Sequence, residues 1–147
     1  MLLNEENYKW KSMAKVKYVM CDPYKRGIHV FIGTLEELKE WVVKEYDDPS
    51  EEDFRNFVLE TKPMPQAMAQ FFYSYSNGNG IALIPKFPKT PAQIASVSHE
   101  LLHATFLILN YCFVAYDDES CGNEAFTYLH EHLLRNALEK EGYDDIE

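Results

Sequence analysis

Two histidines four residues apart, the first followed by a glutamate, are the most chemically specific arrangement in this chain: His99-Glu100-Leu101-Leu102-His103. On a helix, positions four apart lie on one face, one turn above the other. Both imidazoles then point the same way, close enough to grip one metal ion. Glu100 is offset from His99 by about 100° around the helix axis. From there its carboxylate reaches a water at the metal without being a ligand itself. Zinc suits imidazole nitrogen, and a catalytic zinc keeps one position open for water. Such a water ionises near neutral pH, and Glu100 can take its proton and later pass it to a leaving amine. The expected chemistry is hydrolysis assisted by Zn2+.

With five His and sixteen Glu in 147 residues, chance alone would produce this spacing somewhere with a probability of roughly 2%. The competing reading makes His99 and His103 hydrogen-bonded core residues and Glu100 a surface charge. Against it stands the helix around them. From Pro91 to Leu109 it carries no other charged side chain, so it reads as a central, buried helix that offers such groups few partners.

Two histidines hold zinc weakly, and a third protein ligand is required. Glu124, in Asn123-Glu124-Ala125-Phe126-Thr127-Tyr128, is the nearest sensible candidate, brought back over the His pair by a loop and a helix reversal. Its other reading is a first-turn glutamate stabilised by the helix dipole. It shares a helix face with Tyr128, Glu131 and Arg135. Tyr128, one turn further on, could steady an oxyanion or simply line a cleft. His130 and His132 sit two apart, about 200° around a helix, and cannot chelate together. One of them could serve as an alternative ligand or an acid in the cleft; both otherwise read as surface or boundary residues. His29 alternates with Ile28, Val30 and Ile32 in a strand pattern. Cys121 could in principle ligate zinc and otherwise reads as a small buried or loop thiol.

The elements that must position these groups are readable from their punctuation. Ala14–Met20 and Ile28–Ile32 read as strands joined by a turn at Asp22-Pro23 and Arg26-Gly27. Thr34-Leu35-Glu36-Glu37 is a capping box that opens a helix to about Tyr46, with Leu35, Leu38, Trp41 and Val42 as its apolar stripe. Asp53–Glu60 fits a short helix or a strand. Ala69–Tyr75 and Ile81–Ile84 flank Asn77-Gly78-Asn79-Gly80 and predict a hairpin. Thr90-Pro91 starts the motif helix. A loop over Asn110–Asn123 leads to a final helix from about Asn123 to Lys140. No repeat or domain boundary is visible, so residues 1–147 read as a single domain. The predicted fold is α+β: a mostly antiparallel N-terminal sheet with one packed helix, then two C-terminal helices that carry the site.

HExxH followed by an NExx glutamate on the next helix resembles the gluzincin branch of zinc peptidases. The short single-domain layout is similar to the minimal members, the minigluzincins, which include phage and prophage proteins. The resemblance spans roughly Ile28 to Leu134, although only the two helical motifs are specific. It implies a zincin-like fold, His99, His103 and Glu124 as zinc ligands, Glu100 as base and acid, and a peptide or protein substrate. It also implies that the strand before the motif helix, Ile81–Ile84, forms a rim that aligns an extended substrate. One departure matters. The thermolysin-like form continues NExxSD, its Asp supporting a zinc-bound His, whereas Thr127 and Tyr128 occupy those positions here. Support must then come from Asp117, Asp118 or Glu119, from a carbonyl, or from the Tyr128 hydroxyl.

Composition bounds the remaining possibilities. A net charge of −10, from 14 basic and 24 acidic residues, argues against nucleic acid as a partner. Three cysteines without a CxxC pair make a poor disulfide framework. The N-terminal stretch carries acids where a signal peptide needs an apolar run, and no stretch approaches a membrane span. These features predict a soluble, cytoplasmic protein. The functional expectation is a zinc-dependent peptidase, with a catalytically weak zinc-binding regulatory or interaction protein as its alternative. Substrate and oligomeric state are not legible.

Overall fold

The computed structural model describes residues 13–22, 24–63, 69–74, 76–114 and 121–146, with the side chains of 121–123 excepted. Strands β1 (Lys15–Cys21), β2 (Arg26–Ile32), β3 (Gln70–Tyr73), β4 (Gly80–Ile84) and β5 (Asp144–Asp145) form one sheet in the order β3-β4-β2-β1-β5. All pairs are antiparallel except β2 with β4, which run parallel with Phe31 opposite Leu83. The sheet is mostly antiparallel, as expected, within a mixed α+β fold.

Alternation along the strands creates two cores. One packs Val30, Ala82 and Ile84 against helices α3 (Pro91–Tyr111) and α4 (Cys121–Leu138). The other packs Phe31, Phe72, Ile81 and Leu83 against α1 (Leu35–Glu45) and α2 (Glu52–Glu60). Helix α1 begins at the expected capping box. The Thr34 hydroxyl accepts from the Glu37 N–H, and the Glu37 carboxylate accepts from the Thr34 N–H. Phe54 and Val58, four residues apart and both buried, settle the ambiguous segment as helix. Two helices therefore cover this face rather than the one expected. Each sheet face carries two.

Two further expectations change, and one strand appears that the sequence does not announce. Ile81–Ile84 is not a rim: β4 lies between β3 and β2 with every residue buried, and its backbone is paired on both sides. Periodicity shows which strand is apolar, but strand order depends on long-range pairing. The edge beside α3 is β3. Helix α3 is not buried all round either, since His99 and His103 are exposed and Phe106 keeps 48% of its surface in solvent. Its apolar residues outnumber what the sheet face needs, and the surplus points outward. Finally, β5 follows the last helix, where Ile146 N–H donates to the Ala14 carbonyl at 3.0 Å. Two acidic residues carry no strand signal of their own. None of the described helices is long and apolar enough to cross a membrane.

Candidate metal centre

Helix α3 sets the geometry of the His pair. Thr90 accepts from the Gln93 N–H and Gln93 returns the bond to the Thr90 N–H, so the helix start is fixed by a capping box two turns before the motif. Val97, Leu101, Ala104 and Ile108 then lock one face onto the sheet. On the opposite side the rings of His99 and His103 sit with centroids 5.0 Å apart and planes at 82°. Neither imidazole has a hydrogen-bond partner among the described residues. The partly exposed Glu100 has no hydrogen-bond or ion-pair partner there either.

A groove of about 380 Å3 adjoins the pair, lined by Tyr73 from β3 together with His103, Phe106, Leu107 and Asn110 from α3. Tyr73 and Phe106 were not singled out from the sequence. Phe106 was readable in principle, because it lies three residues after His103 and seven after His99 and so shares their helix face. Tyr73 could be found only once β3 was known to be the edge strand.

Helix α4 packs on α3 through Phe106 and Phe126, whose ring centroids are 4.7 Å apart, and through His130. His130 Nε2 lies 3.1 Å from the Ser98 carbonyl oxygen and 3.3 Å from the Ser98 hydroxyl. A carbonyl only accepts, so this bond puts the proton on Nε2. His132 makes the equivalent bond on the other side of α4, from Nε2 to the Met20 carbonyl at 2.9 Å. The two histidines thus face different neighbours, as their spacing requires. Glu124 and Tyr128 lie on the exposed stripe of α4, Tyr128 with 66% of its surface in solvent. The Tyr128 hydroxyl has no partner among the described residues.

The donor set therefore fits a metal in part. Two imidazoles are side by side with free nitrogens, as a zinc ion requires. Among the described residues, however, no three His, Cys, Asp or Glu gather into one potential metal-binding group, Glu124 and the His pair included. Asp117, Asp118 and Glu119 and the Cys121 side chain lie outside the described residues. His29 is a different kind of histidine. Its Nδ1 shares a 3.0 Å hydrogen bond with the Tyr46 hydroxyl, and its ring packs 5.0 Å from that of Trp41. Burial lowers its pKa to about 4. It is a neutral structural residue of the α1 face.

Comparison of the chain with family models, with curated proteins and with solved structures gives no match.

Proposed function

We propose that this chain is a zinc-dependent peptidase in which His99 and His103 bind the metal and Glu100 moves the proton. The observation that carries the reading is the imidazole pair, 5.0 Å apart on an exposed helix face with no hydrogen-bond partner among the described residues. When bound, zinc would supply Lewis-acid activation of water and of the scissile carbonyl. Glu100, one position after His99 and uncommitted, would accept the water's proton and return it to the leaving amine. Glu124 would be the third ligand, which requires it to approach the pair when the metal binds. An extended peptide would lie along β3, which ends the sheet among the described residues and runs beside α3. One of its side chains would then enter the groove between Tyr73 and Phe106. Tyr128, turned to solvent on the stripe of Glu124, would approach a substrate only with that rearrangement.

The test is cleavage of a mixed peptide library by the purified chain. Wild type should cleave, a chelator should stop it, and Glu100→Gln should lower the rate by about 10²-fold or more while zinc stays bound. Zinc binding without cleavage in wild type would assign the chain instead to a regulatory or interaction role on the same metal centre.

A further inference from the structure

A second site is built where the sheet changes direction. The parallel neighbours β2 and β4 end at Ile32 and Ile84. The chain leaves β2 for α1 on one face and leaves β4 for α3 on the other. Adjacent parallel strands whose following helices part to opposite faces open a crevice beyond their carboxyl ends, where open α/β sheets hold ligands. A cavity of about 610 Å3 occupies that position, lined on the β2 side by Ile32 and Thr34 and on the β4 side by Phe87 and Thr90. It lies at the N-terminal end of α3, whereas the groove beside His103 follows that helix's C-terminal half.

Its charge runs against that of the chain. Among the described residues, Lys86, Lys89 and Lys140 line it against one carboxylate, Glu37, in a protein of net charge −10. Glu37 is already committed, accepting from the Thr34 N–H at 2.9 Å. The Lys86 and Lys89 ammonium groups have no ion-pair or hydrogen-bond partner among the described residues. Among the described residues these two cations thus remain unpaired at one cavity. Lys140 Nζ sits 5.4 Å over the Phe87 ring, which joins a cation to an aromatic wall. The first turn of α3, a helix of 21 residues with no acidic residue in that turn, opens on the same space and adds its positive end, whereas that of α1 carries Glu36 and Glu37.

We propose that this crevice binds a phosphorylated small molecule, with the phosphoryl group between Lys86 and Lys89 and an apolar or aromatic portion against Phe87 and Ile32. The volume is that of a small-ligand site. A phosphoryl group's charge of roughly −1.5 to −2 matches two unpaired ammonium groups better than a single carboxylate does. The ligand makes no use of the His pair.

Phenyl phosphate is the probe, titrated calorimetrically into the full chain at constant ionic strength, with inorganic phosphate in parallel. Phenyl phosphate should bind at about one per chain and more tightly than inorganic phosphate, because only it fills the apolar wall. Lys86→Glu/Lys89→Glu should weaken it by about ten-fold or more, and Lys86→Gln/Lys89→Gln by less. Both lysines are exposed, so the fold is retained and circular dichroism verifies it. A His99→Ala/His103→Ala chain should bind phenyl phosphate as wild type does, whether or not the peptidase reading holds. No binding at millimolar phenyl phosphate, unchanged affinity in the lysine variants, or loss of binding in the histidine variant would each overturn the proposal.

Discussion

Five histidines divide by what holds them. His29 is tied to Tyr46, His130 to Ser98 and His132 to Met20. Among the described residues, His99 and His103 have only each other. That difference, more than the motif's rarity, separates them from structural histidines, and it corrects an argument the sequence invited. Burial was to have made unpartnered imidazoles costly, yet they are exposed and cost little where they stand. His29 carries the buried penalty instead. Its folded pKa of about 4 lies below the ordinary 6.5, so the unfolded chain takes up the proton first as pH falls. The stabilising contribution is full above pH 6.5 and is lost as pH falls toward 4, on the order of 3 kcal/mol in all. Urea midpoints measured across this range should fall with pH in wild type. In His29→Gln they should fall less steeply, and an equal slope would remove His29 as the cause.

At the scale of elements, the parts that were legible are those fixed by neighbours in sequence. Both capping boxes stand where Thr34-x-x-Glu37 and Thr90-x-x-Gln93 put them, because the bonds span three residues. The position of β4 inside the sheet, the two-residue β5 and the open face of α3 depend on pairings dozens of residues away. Lysine burial was equally illegible. Lys17 is 6% exposed, and its Nζ donates to the Asn136 and Glu139 carbonyls at 2.7 and 2.8 Å, closing the C-terminal end of α4 onto β1. Burial lowers its pKa, partly offset by Glu139 and Glu141, while the helix end favours its charge. Lys17→Met should remove both bonds and lower unfolding stability by about 1–3 kcal/mol in a denaturant titration. Native hydrogen exchange should show the loss concentrated in the last turn of α4.

For the whole molecule, the candidate centre is half local and half global, and legibility follows that division. His99, Glu100 and His103 belong to one helix, so a spacing of four suffices to bring the imidazoles together. Glu124 belongs to the next helix, and its place relative to the pair depends on how α4 packs against α3. Two of the contacts in this packing, Phe106 with Phe126 and Ser98 with His130, left no pattern in the sequence. A metal bridging the two helices would tie that packing to ligand binding, stabilising the fold as zinc concentration rises. The most direct measurement is the zinc content of the purified chain, equilibrated with zinc and dialysed without chelator, beside the His99→Ala/His103→Ala variant. The account predicts about one zinc per wild-type chain and almost none in the variant. A wild-type content far below one, or a variant that holds as much as wild type, would contradict it.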